Sequence, residues 1–395
     1  MAGDRKITIE IEAKDYASSV FRSVTSGLNT FAVNANNSIY RANNALRSYN
    51  NTMRGFNSTV QRALWDAGRA VYNFTTDAIK QFAELEKQHA KTMGAMSSNY
   101  NLNTETGLQQ FNTNSRALMD QAIYMGYNGV NGKGSLHSPH EISTAQTALI
   151  KAGISENDIL NTNALTDVIK FAGANDLSLD RAVEFAVQLG TQFNYDPSEW
   201  GEMLDQVTYA ANASIIDVDD IIESMKYAGN MAAGYDQPLH EILAAIAVMG
   251  QSGLKGSQAG TGIQAIFSRG MSPTGITNAG LPPTKNVEEI YNGFVSKIMD
   301  ENGNFLGIGN FADVLEQETS GLSDQETSWF YKKLFGIFQQ KAGLALAGTD
   351  EGEMSYDDYV DAILEHAAGT NDKVYEIALE STYGSLEMRS EEHTV

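Results

Sequence analysis

Two glycine-rich passages carry the residue types of a phosphate loop, a lysine among glycines beside a hydroxyl. For Gly132-Lys133-Gly134-Ser135 to hold a nucleotide, glycine should stand five residues earlier, where Tyr127 is, and Ser or Thr should follow the lysine, where Gly134 is. In Gly253-Leu254-Lys255-Gly256-Ser257 the lysine precedes the glycine, the reverse of the required order. Neither passage sets an ammonium and a magnesium-binding hydroxyl against one phosphate chain. Zinc hydrolysis needs two histidines one helical turn apart with a glutamate between them. After His140-Glu141 that second position is Thr144, and after His240-Glu241 it is Ala244. His137 and His140 could share a metal, but two ligands on a loop hold it weakly, and they read as surface histidines. Asp300-Glu301-Asn302-Gly303-Asn304 looks like a fragment of a calcium loop, without glycine at its sixth position and with Phe311 where the twelfth needs Glu, so it reads as a turn. No Gly-x-Ser-x-Gly elbow occurs, and the absence of cysteine removes thiolate nucleophiles, disulfides and cysteine metal sites together. The expectation is a chain with no catalytic, cofactor-binding or metal site.

What could these residues sit on? With 395 residues, 42% of them hydrophobic and 19% charged, the chain can bury a sizeable core. The longest apolar run, 242–249, is too short to cross a bilayer, and MAGDRKITIE lacks the apolar stretch of a signal peptide. Net charge is −22, unevenly spread: residues 1–100 hold 12 Lys/Arg and 8 Asp/Glu, the remainder 15 and 41. An acidic body of that kind repels nucleic acid, so no specific nucleic-acid partner is expected.

The expected fold is all-α with a short N-terminal strand, a long heptad-patterned helix and then a compact multi-helix domain. Ile7, Ile9 and Ile11 alternate with polar residues, which predicts a strand within 1–15. Over 16–99 the apolar residues instead step by three and four, through Phe21, Val24, Leu28, Phe31, Ile39, Leu46, Tyr49, Met53, Phe56, Val60 and Leu64. That spacing predicts the seam of a coiled coil, on a rod of about 115 Å at 1.5 Å per residue. Its other face is rich in Asn and Ser and leans basic; it reads first as a solvated face, with contact to an acidic partner surface as the functional alternative. From 100 to 385, capping signals recur at Ser138-Pro139-His140-Glu141, Asp196-Pro197-Ser198-Glu199, Ser323-Asp324-Gln325-Glu326 and Ser355-Tyr356-Asp357-Asp358. Gly153, Gly190, Gly229 and Gly250 read as helix ends. Amphipathic helices of about 10–16 residues are expected between them, with loops at Gly126–Ser138 and Ser272–Lys285. Residues 386–395 read as the start of a further helical region that is truncated or missing.

Within 200–350 an ordered set of motifs resembles the core domain of bacteriophage tail tape-measure proteins. MLDQVTYAANAS and DVDDIIESMKYAGNMAAGYDQPLHEILAAIAVMGQSG lead into GLKGSQAGTGIQAIFSRG, then DENGNFLGIGNFADVLEQ and KKLFGIFQQKAGLAL. The most recognisable pieces are Gly253, Lys255, Gly256, Ser257, Ala259, Gly260 and Thr261, with Leu334, Phe335 and Gly336 later. Residues of almost no side chain at 253, 256, 259 and 260 would let a neighbouring helix approach closely, while Ile263, Ile266 and Phe267 anchor the segment in the core.

The resemblance implies a structural protein of the virion tail lumen, present in the host cytoplasm during assembly. It would nucleate tail tube assembly, help set tail length and leave at DNA ejection. Implied partners are the tail tube protein, tail tip or distal tail proteins and tail assembly chaperones, with a homo-oligomer of three or six copies. A helical chain of this length reaches roughly 590 Å at most, shorter than the resemblance leads one to expect of a ruler, so a fragment, a truncated prophage copy or a short variant is expected. Two other functions stay open at this point: a non-catalytic coiled-coil scaffold or adaptor, resting on 16–93, and a tail-associated cell-wall hydrolase, for which no residues speak.

Overall fold

A computed structural model describes residues 83–130, 132, 135–270, 279–347 and 354–392. The expected strand, most of the expected rod and every seam residue from Phe21 to Leu64 lie outside the described residues. So do Asn131, Lys133, Gly134 and 272–278 of the two expected loops. The chain divides into two units between Lys91 and Thr92. In the first, the described residues 83–91 are helical.

Among the described residues of the second unit the regular elements are helices, joined by turns, with one isolated antiparallel bridge between Met299 and Phe305. Its helices are α1 (Glu105–Asn128), α2 (Pro139–Lys151), α3 (Glu156–Asn161), α4 (Ala164–Ala174), α5 (Leu179–Phe193), α6 (Trp200–Asn212) and α7 (Val218–Gly234). There follow α8 (Leu239–Gln251), α9 (Ser257–Ala265), α10 (Lys285–Lys297), α11 (Ile308–Thr319), α12 (Asp324–Ala347), α13 (Tyr356–His366) and α14 (Thr370–Glu392). Their lengths run from 6 to 24 residues, wider than the expected range. Gly126, expected in a loop, lies within α1.

Local chemistry sets the starts. The Ser138 hydroxyl accepts from the Glu141 N–H at 3.3 Å while the Ser138 N–H donates to Glu141 Oε2 at 2.7 Å, so each satisfies an orphan group of the other. Asp196–Glu199, Asp217–Asp220 and Ser355–Asp358 build the same box. Ser138→Ala is expected to lower stability by about 1 kcal/mol; a denaturation midpoint equal to that of the native chain would contradict this.

The ends follow a different rule from the one expected. Gly153 does end α2, at φ +93°, but Gly190, Gly229 and Gly250 lie inside α5, α7 and α8. They are there because a neighbour touches the backbone: a Cβ on Gly190 would stand 2.8 Å from Trp200 Nε1, one on Gly229 would strike Gln192, and one on Gly250 would strike Ile216. The true helix ends use other left-handed residues, Asp176 (φ 52°), Asn194 (φ 56°), Asp236 (φ 53°) and Gly253 (φ 78°). Each is followed by a residue whose N–H reaches back into the helix: Leu177 to Ala172 O at 2.9 Å, Tyr195 to Gly190 O at 2.9 Å, Gln237 to Ala232 O at 3.0 Å and Leu254 to Met249 O at 2.9 Å. Asp and Asn tolerate this conformation better than other residues with side chains. Two or three residues then suffice to start the next helix after Asp176, Asp236 and Gly253, whereas after Asn194 a 3-10 turn, Pro197–Glu199, leads into α6.

Helix α8 is the centre of the fold. Ile242 to Gly250 are buried without a break, so its expected amphipathic face is a helix buried all round. It touches α6, α7, α9, α11, α12 and α13. Each fully buried Leu or Ile contributes about 1.5–3 kcal/mol relative to exposure, which makes this helix a large share of what holds the second unit. The chain closes on itself through α14, which returns to pack on α4 and α6.

Candidate functional site

The glycine motif forms the turn from α8 into α9. Gly253 occupies the left-handed position that ends α8, with no atom near enough to make space the reason for glycine. Gly256 is the residue before α9, at φ 54° and ψ −128°, again a backbone that glycine alone enters freely. Close approach enters one turn later. A Cβ on Gly260 would lie 2.9 Å from Ser224 Cα and 3.0 Å from Ser224 C, with the Ser224 carbonyl oxygen nearer still. Helix α9 thus presses on the backbone of α7, and the Ser224 hydroxyl donates to Gly256 O across the contact at 2.7 Å in a buried position. Two residues on, Gly262 faces Ala342 of α12 and Met249 of α8; an added Cβ would come within 2.6 Å of Ala342 Cβ. Small residues here let three helices meet. Ala259, Ile263, Ile266 and Phe267 are buried alongside, the last two in the π turn Ile266–Gly270 that continues α9.

Leu334 and Phe335 are fully buried, and Gly336 breaks α12 at φ 77° and ψ 177°. The bend sends the second half of α12 past α9, where Ala342 meets Gly262. A file of aromatic rings joins this bend to the glycine motif. Phe267 stacks on Tyr235 with centroids 5.4 Å apart and meets Phe305 edge-on at 5.7 Å. Phe305 is 6.3 Å from Phe311, which reaches Phe335 at 6.0 Å and Phe294 at 5.4 Å. Phe294 continues to Phe330 at 5.6 Å. Such pairs contribute about 0.5–1.5 kcal/mol each beyond their buried area. The two motifs, some 75 residues apart in the chain, are therefore one packed unit.

The family described as phage-related minor tail protein matches residues 131–336, just over half of the chain and ending on Gly336. The chain belongs to that family. Among its relatives, the tape measure protein of Pneumococcus phage Dp-1 is 26% identical over 233 residues, which cover 59% of this chain and 19% of that protein. The "Probable tape measure protein" of Escherichia phage P2 is 25% identical over 178 residues, 45% of this chain and 21% of that protein. The chain thus spans about a fifth of the length of either relative. No solved structure matches it. Both motifs lie inside the stretch that defines this minor tail protein family.

The look-alikes for chemistry take structural positions in the family fold. Lys255 turns away from its glycines and donates to Ile215 O at 2.6 Å, the exposed end of the α6–α7 turn. Ser257 is exposed, and its carbonyl accepts from the Thr261 hydroxyl at 2.8 Å. The Asp300 carboxylate is filled by its own turn, accepting from the Asn302 and Asn304 N–H groups at 2.8 and 2.7 Å, which holds it below the ordinary carboxylate range. Glu241 is pushed up by burial, against a long 3.5 Å hydrogen bond from the Tyr356 hydroxyl. His137 is half-buried rather than on the surface, and desolvation lowers its pKa against the pull of Glu141. Among the described residues no three His, Asp or Glu come together as a metal site, and no helix is long and apolar enough to cross a membrane. The aromatic file belongs to none of the sequence motifs. Its rings are present in Phe305 and Phe311, six residues apart, and in the run Trp329-Phe330-Tyr331, but aromatic spacing alone does not say which rings meet.

Proposed function

We propose that the chain is the core part of a tail tape-measure protein, a structural component of the phage tail with no catalytic site. The observation that carries this reading is the family match over 131–336 together with relatives described as tape measure proteins. A ruler must hold a defined position in the tail while the tube grows, and a rigid packed unit such as α7–α9 with α12 supplies a fixed anchor rather than a catalytic surface. In this reading the segment 100–385 is the core domain, and the heptad-patterned 16–99 lies along the tail lumen as a coiled-coil rod. The protein nucleates tube polymerisation, helps set tail length and is released at ejection. Its partners are the tube protein, tip or distal tail proteins and assembly chaperones, and it acts as an oligomer of three or six copies.

The test is an in-frame deletion of the codons for 92–392 in the phage, scored by electron microscopy of lysates. Loss of mature tails is expected, with heads still made. Tails of normal number and length from the deleted phage would contradict the proposal.

A further inference from the structure

Away from the glycine motif, a pocket of about 470 Å³ opens between α4, α6 and the α13–α14 junction. Its polar lining holds four carboxylates, Asp167, Glu202, Asp205 and Asp372, against one cation, Lys170. Two of the four are committed. Asp205 accepts from the Gly369 and Asn371 N–H groups at 2.7 and 2.8 Å and so caps α14, while Asp372 pairs with Lys170 at 2.5 Å. Asp167 is left with the Gly201 N–H as its hydrogen-bond donor and only a share of Lys170. A separate feature points the same way. Gln206 lines the pocket at 7% exposure, and its buried Oε1 has no hydrogen-bond partner. An unpaired buried acceptor costs free energy that a donor would recover. The remaining wall is apolar, with Ile363 and Ala367 below and Leu364, 59% exposed, at the rim.

We propose that this pocket receives the guanidinium of an arginine side chain presented by a partner protein. Surplus acceptors on one wall and apolar carbon on the other match that group. It has five N–H donors in a planar fork and no acceptor, on a stem of methylenes that lies against Leu364 and Ile363. Asp167 and the Gln206 amide, whose oxygen and nitrogen exchange places by a half-turn, supply the acceptors. A phosphate or carboxylate guest is repelled by the same carboxylates. The titration of Asp167 agrees with an absent counter-charge. Burial pushes its pKa up to about 6; Lys170 pulls the other way, and Asp372 and Asp205 push further. Glu202 on α6 is the other charged group in the pocket; α13 brings Ile363 and Leu364 to it, and the junction after α13 brings Ala367, Ala368 and Gly369.

The probe is N-acetyl-argininamide titrated into the full chain, followed by amide NMR shifts, with N-acetyl-lysinamide and spermidine in parallel. The arginine probe should bind best, shifting Gly201 and Gly369, and should weaken about fourfold from pH 7.5 to 5.5 as a group of pKa about 6 takes up its proton. Asp167→Asn should weaken binding at least tenfold and remove that pH dependence, and Gln206→Leu should weaken it several-fold. Asp167→Asn leaves the fold intact for the test. A carboxyl with a raised folded pKa contributes stability below its unfolded pKa and loses it as pH rises through 6, so an amide there unfolds no more readily at pH 7.5 than the native chain. Its melting temperature checks this. No shift at these residues, equal binding by Asp167→Asn, or preference for spermidine would overturn the proposal.

Discussion

Gly260→Ala is expected to destabilise the second unit by about 3–5 kcal/mol, near the upper end for a single small-to-larger change in a packed core. The size follows from what the new methyl group would meet. Its neighbours are the Cα, carbonyl carbon and carbonyl oxygen of Ser224, all backbone atoms of α7, which cannot rotate aside. Relief requires α9 to move off α7, which breaks the Ser224–Gly256 hydrogen bond and opens the contacts of Ala259 and Ile263. Helix propensity works in the other direction, by about 1 kcal/mol in favour of alanine, and loses. The control is Gly293→Ala in α10, where an added Cβ meets nothing within 4 Å. There the propensity gain stands alone, and stability should rise by up to about 1 kcal/mol. Urea denaturation followed by circular dichroism measures both. A Gly260→Ala chain as stable as the native one would mean that α9 does not press on α7 as described.

The second large effect is expected at Gly336. In an ordinary helix interior, alanine would stabilise by about 1 kcal/mol. At φ 77° and ψ 177° the backbone occupies a region that is essentially glycine's alone, and a side chain there costs roughly 1–3 kcal/mol in strain. If α12 straightens to escape that strain, Phe335 leaves Phe311 and Tyr331, and Ala342 leaves Gly262. Either route destabilises, so Gly336→Ala should lower stability by about 2–4 kcal/mol. The sign alone decides the matter: a more stable Gly336→Ala would show a helix without the bend.

The starts of the helices could be read from the sequence because a capping box is local: Ser138 and Glu141, or Ser355 and Asp358, need only each other. Helix ends could not be read as well. Glycine spacing marks Gly190, Gly229 and Gly250 as ends, whereas the fold places Asp176, Asn194 and Asp236 at ends and keeps those glycines for contacts with Trp200, Gln192 and Ile216. The spacing of a glycine does not say whether it serves φ or space; only the neighbour does. The glycine motif itself combines both uses, with Gly253 and Gly256 in turns and Gly260 in a close approach, whereas its sequence predicts close approach alone. The arginine pocket was beyond any local reading. It joins Asp167 and Gln206 to residues of 363–372, and nothing in either stretch names the other. The seam over 16–93 was the longest pattern in the sequence, and its residues up to 82 lie outside the described structure.

The measurement closest to the central claim is a count of mature tails from phage carrying Gly260→Ala, Lys255→Ala or Ser257→Ala in this gene, beside the melting temperature of each purified chain. A motif that serves packing predicts that tail yield follows stability: Gly260→Ala loses both, whereas Lys255→Ala and Ser257→Ala, at exposed side chains, keep both. Loss of tails in Lys255→Ala or Ser257→Ala at an unchanged melting temperature would contradict it, because those side chains would then be meeting a ligand or partner that packing alone does not require.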